Sequence, residues 1–376
     1  MSTWDHWLAA EAERREQLGL TRRLVAHGSH EQVIDLAGND YLGLSQHHVV
    51  KTEAAKAALE YGAGAGASRL VTGTLEIHEQ LEQELATFLG QPSALVMSTG
   101  YHANLSVVTA LVGKGDLVVS DAHIHASLID AVRLSRAEIV VNPHNDVEAV
   151  DAALAARPGR RALVLAESIY SVLGDQAPLL ELAATCERHG ALLVVDEAHG
   201  IGVAGRQGEG VVRALGLAGH PNVVVTATLS KALGAQGGAV LGSAAVRDHL
   251  VNSARPFIFD TALAPAPTAG ALAALRLLID QPSRVALIHE RVGDLCDRLR
   301  VEHPAGAVVS VPMPTPQVAV EAQGTLSAEG IRVGCFRPPS VPDGISRLRI
   351  TINAGVSDAD WERAENVLAK VVEAYR

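Results

Sequence analysis

The chain has 376 residues, 48% of them hydrophobic and 19% charged, with a formal net charge of −11. This composition predicts a packed globular protein of about two or three lobes rather than a disordered chain. An acidic surface repels phosphate backbones and anionic headgroups, so nucleic acid and membrane are excluded as general partners.

Aromatics make up only 3% of the chain, which leaves Ala, Val, Leu and Ile to build the core. Cys186, Cys296 and Cys335 are far apart, fit no paired motif and read as reduced thiols. The N-terminus has no apolar signal core, and no apolar run is long enough to cross a bilayer, so a cytoplasmic location is expected.

Residues 1–24 read as a charged helix, with Trp4, Trp7, Leu8 and Leu18 as its docking side chains. A short strand is expected at 34–36, followed by a turn at 38–43. Apolar, β-branched runs then recur at 94–97, 117–119, 139–141, 162–165, 191–195, 223–225 and 239–241. Helical stretches such as 146–157 and 178–189 lie between them. Strands alternating with helices predict a mostly parallel sheet covered on both faces. After 243 come helices over 264–279 and 283–302. Short strands are then expected at 307–311, 317–321, 331–335 and 347–352, with a closing helix near 357–375. The expected organisation is an N-terminal helix and segment (1–47), a large α/β domain (48–243) and a smaller C-terminal α+β domain (244–376). No internal repeat is visible.

Several segments carry chemistry, and most of them follow strands, where ligand sites of parallel sheets gather. The run Leu192-Leu-Val-Val-Asp196 ends in a carboxylate, followed by His199 and Gly200. An Asp there can hold a protonated pyridine nitrogen; capping a helix is its plainer role. The same segment contains Asp-Glu-Ala-His, but no phosphate-loop motif accompanies it, so a helicase reading fails. Lys231 sits in a turn of small residues after another strand, near Thr228 and Ser230. A desolvated lysine can act as a nucleophile or base, whereas a lone one is more often a surface residue. Asp on one strand end and Lys on a later one is the pairing that pyridoxal phosphate (PLP) requires.

Ser98-Thr-Gly100-Tyr101 opens a helix after a strand, a position suited to an anion. His123 and His125 offer a ring to stack on a cofactor; a metal pair and a structural role are the alternatives, and no third ligand is near. Ser171, in Glu167-Ser-Ile-Tyr-Ser171, offers a hydroxyl. Near the C-terminus, Arg337, Arg347 and Arg349 are cationic, and Arg347 and Arg349 share a strand face, where a guanidinium can clamp a carboxylate.

Together these segments resemble the α-oxoamine synthase family of PLP enzymes, from Asn39-Asp-Tyr-Leu-Gly-Leu44 to Arg347-Leu-Arg-Ile350. Further matches are Ser-Arg-Leu-Val-Thr-Gly (68–73), Arg-Pro-Phe-Ile-Phe (255–259) and Gly-Cys-Phe-Arg-Pro-Pro (334–339).

The resemblance implies the aspartate-aminotransferase-like fold (fold type I) and a C-acyltransferase with PLP as cofactor. By position, Lys231 is the Schiff-base lysine and the base at the amino acid's Cα. Asp196 is the ring-nitrogen partner, His125 the stacking ring, and His199 the neighbour of the phenolic oxygen. Gly100 and Tyr101 match the phosphate turn, and Ser171 and Thr228 the hydroxyl contacts. Arg349 matches the carboxylate anchor, with Asn39 and Arg337 also on the substrate side. Thr261 matches a residue given to the phosphate by a second subunit, which implies a homodimer with active sites at the interface. Arg22 and Arg23 match loosely the arginines that meet the acyl substrate.

The implied reaction is decarboxylative condensation of L-alanine with a pimeloyl thioester, on CoA or on an acyl carrier protein, in biotin biosynthesis. The chain departs from the family pattern at Val172-Leu173 and at Asp260. Other α-oxoamine synthases (2-amino-3-ketobutyrate CoA ligase, 5-aminolevulinate synthase and serine palmitoyltransferase) are the near alternatives. An aminotransferase and a PLP-sensing regulator are the distant ones; the regulator lacks a DNA-binding module. No metal site is expected.

Overall fold

Every apolar run before residue 243 forms a strand. The computed structural model describes all residues except Met1, Gly19, Arg23, His30, Pro339, Ser340 and Pro342. The strands are β1 (Ile34–Leu36), β2 (Ser93–Met97), β3 (Leu117–Asp121), β4 (Glu138–Asn142), β5 (Ala162–Glu167), β6 (Leu192–Asp196), β7 (Val223–Thr228), β8 (Gly238–Gly242), β9 (Val308–Pro312), β10 (Ile331–Phe336) and β11 (Arg347–Thr351).

Seven of them form one sheet in the order β2-β8-β7-β6-β5-β3-β4. All neighbours are parallel except β8, which runs antiparallel to both β2 and β7. Alternate residues of a strand feed opposite faces. Val164 and Ala166 of β5 join one apolar core, while Leu163 and Leu165 join another; on β6, Leu193 and Val195 oppose Val194 in the same way. Both faces are therefore buried, which explains why these strands read as continuous apolar runs. The register aligns the strand ends, with Glu167 opposite Asp196 and Asp196 opposite Thr226. Polar side chains thus collect on one edge of the sheet.

The second sheet has the order β1-β10-β11-β9. β1 pairs parallel to β10, and the other pairs are antiparallel. The strand expected at 317–321 is instead part of a helix, Pro316–Ala328. Thr315 caps it, its side chain accepting from Val318 N, and Pro316 sits in the first turn, where its missing N–H costs nothing. Ala319, Ala322 and Leu326 are buried at helical spacing.

Residues 1–33 form a separate unit. The helix expected over 1–24 is shorter, Thr3–Gln17, with Ser2 and Asp5 forming a capping box. None of its residues is buried, and Trp4, Trp7, Leu8 and Leu18 are exposed. Arg22 is exposed, and Arg23 lies outside the described residues. No described helix is long and apolar enough to cross a membrane.

One buried ion pair braces the large sheet. Arg69 Nη1 lies 2.9 Å from Glu82 Oε1, which also accepts from Val96 N at 2.8 Å. Glu82→Ala strands the buried guanidinium and is expected to destabilise the protein by about 3–5 kcal/mol, read as a lower midpoint in urea unfolding.

Candidate active site

β6 delivers Asp196 to the polar edge, nearly buried. Its Oδ2 accepts from Asn104 Nδ2 at 2.7 Å and its Oδ1 from Ala198 N at 2.9 Å. Asn104 is itself held, donating to Ser127 Oγ at 2.8 Å and accepting from Thr226 Oγ1 at 2.7 Å. The carboxylate is thereby fixed in direction. On the neighbouring strand Glu167 is buried, and its Oε1 has no hydrogen-bond partner. Burial, then the adjacent Asp196 charge, push its pKa up to about 8.

Lys231 stands in the turn after β7. Its Nζ is 2.8 Å from His199 Nε2, and His199 Nδ1 is 2.5 Å from Tyr41 Oη. Tyr41 donates to Asn39 Oδ1 at 3.3 Å, and Asn39 Oδ1 also accepts from Arg349 Nη2 at 3.1 Å. A continuous polar chain therefore joins Lys231 to Arg349. A proton on His199 Nδ1 and a bare Nε2 satisfy every link. Burial lowers the His199 pKa well below its usual value, with the Lys231 and Arg349 charges acting in the same direction, which keeps the ring neutral. Burial brings Lys231 down to about 8, against the pull of Asp196 and Glu167. An amine titrating there is part neutral near pH 7 and able to act as nucleophile or base.

Two cavities meet at this lysine. The inner one, about 260 Å³, is lined by Thr99, Gly100, Tyr101, Asn104, His125, Asp196, Thr228 and Ser230 among others. The outer one, about 460 Å³, is lined by Asn39, Ile124, Ile129, Ser171, Val172, Leu173, Phe336, Val341 and Arg349 among others. His125, His199 and Lys231 line both. Arg349 is nearly buried on β11 and donates through Nε to Ser171 O at 2.8 Å and through Nη1 to Thr351 Oγ1 at 3.1 Å.

The inner cavity fits PLP in shape and chemistry. Thr99 caps the helix Gly100–Leu111, so free backbone N–H groups face the cavity mouth beside the Thr228 and Ser230 hydroxyls, which are 2.7 Å apart. A Cβ at Gly100 would come within 2.9 Å of Thr228 Cβ, and one at Gly238 within 2.4 Å of Thr99 O. The cradle is thus built around absent side chains. At the other end Asp196 presents an oriented carboxylate.

Most residues singled out in the sequence converge here: Gly100, Tyr101, His125, Ser171, Asp196, His199, Thr228, Lys231, Asn39 and Arg349 line one cavity or both. Tyr101 is partly exposed and donates to Asp130 Oδ2 at 2.6 Å. Arg337 is half-buried and lines neither cavity; Thr261 is exposed and lines neither. Arg347 and Arg349, read as sharing a strand face, take different partners: Arg347 makes a bidentate pair with Asp343 at 2.9 and 2.7 Å and lines a cavity other than these two. Among the described residues no cluster of three His, Cys, Asp or Glu could hold a metal ion.

Sequence reasoning assigned no role to Tyr41, Asn104 or Glu167. An Asn in the first turns of a helix that opens at a strand end was the available signal for Asn104. The Glu of Asp-Glu-Ala-His is architectural: buried Glu197 accepts from Ser168 Oγ and Val212 N, both at 2.6 Å, and a Cβ at Gly200 would collide with it.

The family model for aminotransferase class I and II matches residues 31–368, a span that contains every residue lining the two cavities. The 8-amino-7-oxononanoate synthase of Mycolicibacterium smegmatis is 54% identical over 98% of this chain and 97% of its own. The chain belongs to the class I and II aminotransferases, among the 8-amino-7-oxononanoate synthases. A solved 8-amino-7-oxononanoate synthase from Francisella tularensis superposes with a TM-score of 0.77 at 27% identity, covering 91% of this chain and 98% of that one. An SPT solved with PLP superposes with a TM-score of 0.92 at 31% identity, covering 100% and 99%. The seven-stranded sheet with its single reversed strand is thus shared beyond the 8-amino-7-oxononanoate synthases.

Proposed function

We propose that this chain is a PLP-dependent acyltransferase that condenses L-alanine with a pimeloyl thioester, releasing 8-amino-7-oxononanoate, CO2 and the free thiol, in the cytoplasm and in the service of biotin synthesis. The observation that carries the reading is the meeting of two cavities at Lys231, one ending in an oriented carboxylate and the other in a buried guanidinium.

PLP, when bound, supplies a protonated ring that accepts the electron pair left at the amino acid's Cα. Asp196 would hold the proton on the ring nitrogen, His125 would offer its ring to the cofactor, and His199 would stand beside the phenolic oxygen. The backbone at Gly100 and Tyr101 and the hydroxyls of Thr228 and Ser230 hold the phosphate. In the outer cavity Arg349 grips the alanine carboxylate, with Ser171 O and Asn39 fixing its direction, and Lys231 takes the Cα proton. The wall of Ile124, Ile129, Val172, Leu173, Phe336 and Val341 excludes water and takes the acyl chain. Arg337 and Arg22 are the cations that the family resemblance assigns to the thioester, whether CoA or an acyl carrier protein bears it. Thr261, which lines neither cavity of this chain, serves the phosphate of a second copy in a homodimer. The large domain, 48–243, carries the cofactor, and the small one, 244–376, brings Arg349.

A second reading has the same residues joining L-serine to a longer acyl thioester, and the superposition on SPT favours it as far as fold goes. The deciding experiment follows release of the free CoA thiol, the product common to these condensations, from the reconstituted enzyme. L-alanine with pimeloyl-CoA is expected to outrun L-serine with palmitoyl-CoA and glycine with acetyl-CoA. The reverse order would move the protein to another α-oxoamine synthase, and failure to acquire a visible PLP band would remove the reading altogether.

A further inference from the structure

A tight cluster of ionisable groups after β4 backs the outer cavity, which its members His123 and Tyr170 line. His144 Nδ1 is 2.9 Å from Asp121 Oδ1 at the end of β3, and its Nε2 is 2.8 Å from Asp175 Oδ2. The next residue repeats the bridge: Asn145 donates from its backbone N to Asp121 Oδ2 at 2.7 Å and from Nδ2 to Asp175 Oδ2 at 2.9 Å. It does so at φ +57°, a conformation that non-glycine residues adopt only where the surroundings hold them. His123 stacks on His144 with ring centroids 3.8 Å apart, and the Tyr170 ring meets His144 edge-on at 4.4 Å.

Asp175 closes the turn that forms one wall of the outer cavity. Tyr170 N donates to Asp175 O and Gly174 N to Tyr170 O, both at 2.9 Å. Within that turn Ser171 O receives Arg349 Nε, and Val172 and Leu173 face the cavity. We infer that His144 is a positioning residue whose imidazolium, bridging Asp121 and Asp175, sets the 170–175 turn and through it the direction of the Arg349 grip on the amino-acid carboxylate. This inference rests on the proposed role of Arg349.

The charges around His144 favour its protonated form. Burial alone would lower its pKa, but the hydrogen bonds it donates to Asp121 and Asp175 raise it to about 9. Burial holds the His123 pKa below its usual value and pushes the Tyr170 phenol upward, so both stay neutral when His144 is charged. Asp343 and Arg347, which line the cavity beyond His144, pair with each other. A group with a raised folded-state pKa exerts its effect in full below its unfolded value and loses it as pH rises through the folded one. The clamp is therefore present at neutral pH and released through about 9.

The test is titration of the holoenzyme with L-alanine, read at the visible PLP band, in wild type and His144→Asn. Expected at about pH 7 is an unchanged resting band with alanine bound about tenfold more weakly by the variant. The gap should close above about pH 10, where the wild-type imidazole is neutral too. Equal affinities at neutral pH, or a gap that persists unchanged into alkali, would overturn the inference. Should His144→Asn fail to hold the cofactor, Asp175→Asn is titrated in the same way. Failure of both to hold it overturns the inference as well, since the cluster then supports the fold rather than the grip. Wild-type enzyme that binds PLP but ignores alanine sinks the underlying reading of Arg349 and the inference with it.

Discussion

Lys231→Ala is expected to cut CO2 release by about a thousandfold or more, the scale on which removal of a positioned base or nucleophile acts. No other amine lines either cavity among the described residues. The nearest base, His199, is a poor substitute: burial lowers its pKa well below the usual value, which makes it a weak base, and its Nδ1 stays engaged by Tyr41. The variant should fold, since Lys231 borders open cavity rather than packed core and its loss frees only one bond of His199. Release of labelled CO2 from L-alanine and pimeloyl-CoA, alongside circular dichroism, checks both halves. A folded variant retaining a tenth of the wild-type rate would remove Lys231 from the chemistry.

Asp196→Asn is expected to lower turnover by about 10²- to 10³-fold and to weaken PLP retention, a loss of about 3–4 kcal/mol. The amide preserves the shape but not the charge that keeps a ring nitrogen protonated. It also has one acceptor oxygen where two are used, so either Asn104 Nδ2 or Ala198 N loses its partner in a buried site. Dialysis followed by PLP titration separates retention from rate. Wild-type turnover at saturating PLP would show that the charge is dispensable.

The sheet was legible because its strands are buried on both faces, and the β-branched runs at 162–165, 191–195 and 223–225 differ plainly from the helices between them. The segment 317–321 was not. Over five residues an amphipathic helix and an alternating strand look alike, and only the buried positions 319, 322 and 326 reveal the longer period. At the site, Asp196 and Lys231 announced themselves by following apolar strands. Tyr41 and Asn104 could not, because their importance lies in partners distant along the chain: Tyr41 meets His199, and Asn104 meets Asp196. Arg347 and Arg349 are adjacent on one strand face, yet the sequence alone does not disclose that Asp343 claims the first.

The reversed strand β8 bears on how the protein is made. Its first residue, Gly238, pairs with Met97 at the end of β2 and packs on the backbone of Thr99 and Gly100. These partners are about 140 residues apart, and pairings of such separation form late because the loop must close first. A nascent chain that has emerged through β7 already carries Asp196 and Thr228 but lacks Lys231 and the strand that packs behind the Thr99–Gly100 turn. The turn's backing is therefore completed only after β8 has been made, and a ligand that binds the folded chain and not the unfolded one favours chains whose large sheet is complete.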